Sequence, residues 1–364
     1  MIYLDNAATT KPCKDAVEAQ NYANEFFFNP SALYLPAVKI ETQINKVRQK
    51  ILNKLNLTSS HNAIFTSGAT EANNLALFQA TRFKGKTILV SEGEHPAVYN
   101  YAKNCEGMNF ATINLTPSGE VDLEDLKNKL SNNVALVSVM QVSNETGAIN
   151  NLAEVSKIVK NFSPSIMLHC DAVQGFCKIE ERLPSTIDFI TISSHKIHGL
   201  KGTGALIYKT TQNIKPLLKG GGQESDLRSG TQNVGGILAL GAAIDHDTGL
   251  EAVKKLSAYT RQILSQKITG VLLNGEGSPY IINFSIDYAR SETIVRLLEE
   301  ENIYVSNGSA CSSRHADNRT LAAMGTAKKF IEGTIRISFC KENSKEEIDI
   351  FADKLAKILK ENKK

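Results

Sequence analysis

Phe189-Ile190-Thr191-Ile192-Ser193-Ser194-His195-Lys196 is the stretch on which the fold reading turns. Its apolar start predicts a strand over 189–192, and a short polar stretch then leads to a lysine. A glycine-rich segment, Gly199-Leu200-Lys201-Gly202-Thr203-Gly204, leads into a second strand over 205–208. Upstream, a strand over 166–169 runs directly into Cys170-Asp171-Ala172-Val173-Gln174. Polar, chemistry-bearing residues just past successive strand ends are what an open α/β sheet shows, because such sheets take their ligands there.

The same alternation fills the chain up to about residue 250. Spacing predicts further strands over 63–66, 87–90 and 134–140, and helices over 37–55, 71–83, 95–103 and 152–161. Ile40, Ile44, Val47, Ile51 and Leu55 recur at helical period. Strands alternating with helices imply an α/β fold with a mostly parallel sheet covered on both faces. Beyond residue 250 the texture changes. A helix over 250–267 precedes strands over 280–286, 303–305 and 334–339, with a helix over 292–300 between the first two. Ser344 and Glu347 form a capping box for a terminal helix whose Ile348, Phe351, Leu355 and Ile358 make an apolar stripe. A smaller C-terminal α/β domain is predicted.

With 364 residues, 42% apolar and 22% charged, the chain has the make-up of a two-domain globular protein, not of a disordered or collagen-like one. Lys+Arg of 41 against Asp+Glu of 38 leaves +3, too small a surplus to point to a nucleic-acid or membrane partner. No apolar run approaches a membrane span. The opening Met1-Ile2-Tyr3-Leu4-Asp5 lacks the basic and apolar regions of a signal peptide, so a cytoplasmic location is expected. Six cysteines without a CxxC or zinc spacing point away from a disulfide framework and from a metal centre.

Five places carry residues suited to chemistry. Lys196 past a strand end fits a solvated loop when taken alone, but also a lysine that bonds covalently to a carbonyl cofactor. Asp171 is either a turn residue or the acid that keeps the pyridine nitrogen of pyridoxal phosphate (PLP) protonated. Gln174, three residues on, is a candidate hydrogen-bond donor to that ring's phenolic oxygen. Thr66-Ser67-Gly68-Ala69-Thr70-Glu71-Ala72-Asn73 runs from a strand through a small-residue turn into a helix, where backbone N–H groups suit a phosphate. Ser193, His195 and Thr231 are further donors to the same phosphate. Asn307-Gly308-Ser309-Ala310-Cys311-Ser312-Ser313 sets a cysteine among small polar residues, a setting for a nucleophilic thiolate more than for a core thiol. Arg336 interrupts the apolar strand over 334–339 and calls for an anionic partner, either a substrate carboxylate or an acid across a domain interface.

Taken together, these segments resemble the cysteine desulfurases of the iron–sulfur assembly type, within the class V aminotransferase group of fold-type I PLP enzymes. Further matching stretches are Tyr3-Leu4-Asp5-Asn6-Ala7-Ala8-Thr9-Thr10, Asn29-Pro30-Ser31, Glu94-His95, Ser143-Asn144-Glu145-Thr146-Gly147, Gly220-Gly221-Gly222-Gln223-Glu224 and Leu227-Arg228-Ser229-Gly230-Thr231-Gln232-Asn233. The resemblance covers nearly the whole chain. It implies a fold-type I transferase with a mostly parallel seven-stranded sheet in a large domain, 15–250. A smaller C-terminal domain, 251–364, would carry the cysteine loop, and an N-terminal segment, 1–14, would pack with that domain. It also implies roles. Lys196 would carry PLP and move the substrate Cα proton, and His95 would stack on the ring. Asp171 would pair with the ring nitrogen, and Asn144 and Gln174 would hold the ring and its phenolic oxygen. Ala69, Thr70, Ser193, Ser194 and His195 would surround the phosphate, and Thr231 would reach the phosphate of the neighbouring subunit in a homodimer. Arg336, with Asn144, would bind the carboxylate of L-cysteine. Cys311 would become a persulfide and pass its sulfur to an acceptor such as an iron–sulfur scaffold protein.

The chain departs from the family pattern in three places. Tyr34 stands where His is usual, Ser225-Asp226 where Arg-Gly is usual, and Asn307 where Ser is common. None removes a catalytic group. Two other readings compete: a selenocysteine lyase or other class V lyase or aminotransferase, which needs no nucleophilic thiol, and a non-catalytic scaffold for a sulfur-carrier protein.

Overall fold

Apolar strands of five or six residues build the centre of the molecule, which a computed structural model describes over residues 1–307 and 318–362. In chain order the strands are β1 (Ile2–Tyr3), β2 (His61–Thr66), β3 (Thr87–Ser91), β4 (Asn109–Ile113), β5 (Val134–Ser138), β6 (Met167–Asp171), β7 (Phe189–Ser193) and β8 (Gly204–Lys209). β9 (Leu272–Asn274), β10 (Ile281–Ser285), β11 (Ile303–Tyr304) and β12 (Thr334–Ser338) follow. Seven of them form one sheet in the order β2-β8-β7-β6-β5-β3-β4. β4, β3, β5, β6 and β7 pair in parallel, whereas β8 runs antiparallel to both β7 and β2. β5, β6 and β7 are buried at every position, which requires cover on both faces and explains their near-continuous apolar runs.

Several elements carried too little pattern to be read from the sequence, among them two helices and an edge strand. α1 (Lys14–Glu25) buries only Ala16 and Ala23, so it shows no apolar stripe. It lies on the helix Val234–Asp245, which is buried almost all round and so shows no helical period either. β4 is an edge strand, half-exposed along most of its length. The helix predicted over 71–83 ends early. α3 (Ala69–Phe78) gives way to a 3₁₀ turn, Gln79–Arg82. There the Gln79 amide clamps a distant loop, donating to Lys215 O at 3.0 Å and accepting from Lys215 N at 2.8 Å.

In the C-terminal part, β10 is the centre of an antiparallel sheet, β12-β10-β9. Ser344 and Glu347 make the capping box of the helix Lys345–Glu361, and Ile348, Phe351, Leu355 and Ile358 are buried. The chain start joins this part. β1 pairs in parallel with β11, and Ile2, Leu4 and Ala7 share an apolar cluster with Ile281, Phe284, Ile337 and Phe351. A separate cluster lies between the large sheet and α2 (Leu35–Leu55), including Ile40, Ile44, Val47 and Ile51. Among the described residues no helix is long and apolar enough to cross a membrane.

Candidate active site

The carboxyl ends of β2, β6 and β7 open on one cleft of about 550 Å³. Its lining includes Ala69, Thr70, His95, Asn144, Asp171, Gln174, Ser193, His195, Lys196 and Arg336. Ten of the residues singled out in the sequence thus meet in one place, although they are spread over more than two hundred positions.

Lys196 ends the 3₁₀ turn Ser194–Lys196 that follows β7. Its Nζ donates to Ala7 O and Ala8 O, both at 2.7 Å. Gln174 Nε2 donates to the same Ala7 O at 2.9 Å. The N-terminal segment is therefore a wall of the cleft. Its sequence motif was visible, but its part in holding the lysine was not, because backbone carbonyls carry no sequence signal.

Asp171 is the last residue of β6 and is 5% exposed. Asn73 Nδ2 donates to its Oδ2 at 2.7 Å and Val173 N to its Oδ1 at 3.0 Å. A buried carboxylate held by two donors is fixed in position. His95 is the N-cap of α4 (Pro96–Lys103), and its Nδ1 accepts from Ala97 N at 3.1 Å. That bond leaves the neutral ring's proton on Nε2. Burial lowers the His95 pKa, Asp171 opposes this, and Lys196 and Arg319 reinforce it.

The turn Ser67-Gly68 leads into α3, whose first N–H groups have no intrahelical acceptor and border the cleft at Ala69 and Thr70. Ser193 and His195 border it as well, and burial together with nearby lysines pushes His195 down to about 4. Ser194 does not line the cleft. Its side chain is buried against Gly199, with no hydrogen-bond partner on Oγ. Thr231 is exposed and also lies outside the lining. The turn rests directly on β8. A Cβ at Gly204 would stand 2.7 Å from Gly68 C and 3.0 Å from Ala69 N. Gly204→Ala is expected to cost about 1–3 kcal/mol of stability and to weaken phosphate capture, because the turn must shift. Chemical denaturation and titration with the phosphorylated cofactor check both effects.

Arg336, in the middle of β12, is 3% exposed. Nη1 donates to Asn144 O at 2.8 Å and Nη2 to Asp5 Oδ1 at 2.9 Å, while Nε is buried without a partner. One guanidinium therefore pairs with an acid of the chain start and keeps a buried open donor.

Among the buried ionisable groups to which the sequence reading gave no role are Glu94 and Lys178. Glu94 is pushed up to about 8 by burial and by Asp171, with its Oε1 accepting from Met140 N at 2.5 Å. Lys178 is pulled down to about 7 by burial, and its Nζ donates to Gln174 Oε1 at 3.1 Å. Each had one signal, adjacency to His95 for the first and i,i+4 spacing from Gln174 for the second. Cys311 lies outside the described residues. Burial raises the thiols of Cys105, Cys170, Cys177 and Cys340, so none of these is a ready thiolate.

Tyr34, half-exposed, is the N-cap of α2. Ser225 and Asp226 are exposed and, with Glu224, form three successive left-handed residues at φ 50°, 56° and 64°. Glu224 anchors that turn, accepting from Arg48 Nη1 at 2.9 Å and from Phe65 N at 2.9 Å.

Comparison with known proteins agrees with this architecture. The model of the family described as aminotransferase class-V matches residues 2–351. A protein named cysteine desulfurase IscS from Dictyoglomus turgidum is 36% identical over 374 aligned positions, covering 98% of this chain and 94% of that one. The solved structure of a NifS-like protein from Rickettsia africae has a TM-score of 0.89 at 31% identity, covering 99% of both chains. A structure titled SspA in complex with cysteine has a TM-score of 0.82 at 26% identity, covering 94% of this chain and all 100% of the other. The match over residues 2–351 and a relative 36% identical along nearly the whole chain show that the chain belongs to the class V aminotransferase family.

Proposed function

We propose that this chain is a PLP-dependent cysteine desulfurase, converting L-cysteine to L-alanine and leaving the sulfur as a persulfide on Cys311. The observation that carries this reading is the convergence of an amine, an anchored carboxylate, a neutral imidazole and an arginine with an open donor in one cleft. These groups fit PLP: Lys196 for its aldehyde, Asp171 for its ring nitrogen, His95 for its ring face, and the start of α3 with Ser193 and His195 for its phosphate. Bound there, PLP supplies the electron sink that lets bonds at Cα and Cβ of an amino acid break.

The chain's own residues do the rest. Lys196, held by two carbonyls, is placed to take and return the Cα proton. Asp171, held by Asn73 and Val173, would pair with the ring nitrogen and keep it protonated. Gln174 has Oε1 engaged by Lys178 and one Nε2 hydrogen given to Ala7 O, so the second Nε2 hydrogen is the donor left for the phenolic oxygen. The buried Nε of Arg336 is the donor that an amino-acid carboxylate would satisfy, and leaving it unmet costs stability. The Cys311 thiolate would attack the substrate sulfur, its electron pair forming the S–S bond while the Cβ–S pair stays with the substrate carbon, which takes up a proton to become the methyl group of alanine.

The same reading divides the chain into segment 1–14, a large domain 15–250 and a small domain 251–364. It makes the protein a cytoplasmic homodimer in which the exposed Thr231 reaches the neighbouring subunit's phosphate, and it makes the acceptor an iron–sulfur scaffold or another sulfur-carrier protein. The test is mass spectrometry after L-cysteine is added, with alanine assayed alongside. One added sulfur on Cys311 is expected, together with loss of sulfur transfer in Cys311→Ser. Full alanine release by Cys311→Ser, with no sulfur on the wild-type residue, would instead identify a lyase.

A further inference from the structure

Arg319 begins the short helix Arg319–Ala323, immediately after Asn318, whose Oδ1 accepts from Leu321 N at 3.1 Å. Its guanidinium leaves that helix and reaches the turn before α4. Nη1 donates to Glu92 O at 2.5 Å, Nη2 donates to Glu94 O, and the guanidinium carbon sits 3.6 Å from the centroid of the Tyr99 ring. The carboxylate of Glu92 adds an ion pair at 3.7 Å. Glu92, Glu94 and Tyr99 bracket His95 on both sides in the chain. A planar fork that satisfies two carbonyls while stacked on a ring defines one geometry, which a lysine cannot reproduce.

We propose that Arg319 is a positioning residue for His95, pinning the turn that carries the imidazole and setting a fixed positive charge near it. The charged groups acting on His95 come from three other elements. Asp171 at the end of β6 favours the imidazolium, while Lys196 after β7 and Arg319 disfavour it. Glu94, next to His95 on its own turn, is raised to about 8 and is therefore mostly neutral at neutral pH.

The experiment is an NMR titration of the full, cofactor-free chain labelled at its 7 histidines, with the His95 resonance assigned by its loss in His95→Gln. Arg319→Gln is expected to raise the His95 titration by about half a pH unit, because a nearby cation has gone. Arg319→Lys keeps the charge and is expected to leave the titration within about 0.2 of wild type, while losing the fork. If Arg319→Gln does not fold, Arg319→Met retains a contact with Tyr99 and gives the same reading. A His95 titration that stays put in the uncharged variants overturns the proposal, whatever happens to the melting temperature. The consequence for turnover rests on the desulfurase reading. There the acid limb of kcat should follow the titration in Arg319→Gln. A titration that moves without the kcat limb would sink the role given to His95 and leave the Arg319 assignment intact.

Discussion

Lys196→Ala is expected to lower alanine release from L-cysteine at least about 10³-fold, the largest effect of any single substitution in this cleft. The lysine has two tasks in the proposed reaction, holding the aldehyde and moving the Cα proton, and both are lost with the amine. Its environment suits the second task. Nζ is fixed by Ala7 O and Ala8 O at 2.7 Å, so backbone carbonyls aim the amine. The fold should survive, because the two freed carbonyls border a cleft of about 550 Å³ that water can enter. Borohydride reduction of the loaded wild type followed by peptide mass spectrometry should place the cofactor on Lys196. Lys196→Ala should bind the cofactor reversibly and yield no such adduct. Turnover within tenfold of wild type in the variant would end the account of the site.

The second large effect is expected at Asp171. Asp171→Asn preserves shape and should lower turnover by about 10²–10³-fold, since a fixed charge aimed at the reacting group is removed. The substitution is close to isosteric in its hydrogen bonds as well. Val173 N still finds an acceptor, and a rotated Asn73 amide offers its Oδ1, which is buried and unpartnered in the wild type. A loss of activity without a loss of fold would therefore report on charge.

A second readout is independent of turnover. Asp171 helps burial hold the Glu94 carboxyl at about 8. Removing that anion should bring the Glu94 pKa down, though still above the ordinary carboxylate value because burial remains. The stability consequence has a definite sign. A carboxyl whose pKa is raised on folding contributes stability below its unfolded pKa and loses it as pH rises through the folded value. In the wild type that loss runs from 4.5 up to about 8. In Asp171→Asn it should run over a lower and narrower window. Denaturation midpoints measured across this pH range, wild type against variant, check the prediction. Superimposable pH dependences would show that the two acids are not coupled.

Much of this site was legible in the residues themselves. Strand ends are marked by the change from an apolar run to polar residues, so Asp171, Ser193 and Lys196 could be placed on the sheet rim without a structure. The turn at Gly68 was marked by its small residues, and Arg336 by its place in an apolar strand. These are local signals, set by burial alternation and turn chemistry over a few positions. The terminal helix was equally legible, because its capping box and apolar stripe lie within one element.

What the tertiary structure decided was everything that depends on which distant backbone or charge lies opposite. Only the fold brings Ala7 and Ala8 to Lys196, Asp5 to Arg336 and Arg319 to the turn before His95. Only it buries Glu94 and Lys178 deeply enough to move their pKa values in opposite directions, to about 8 and to about 7. The helices α1 and Val234–Asp245 likewise stayed hidden. One buries too little and the other too much for periodicity to show, and their pairing rests on small residues in close approach. The physical reason is common to all of these. Side-chain type and spacing report on local burial, whereas carbonyl acceptors, desolvation and through-space charge are properties of neighbours that the chain acquires only when it folds.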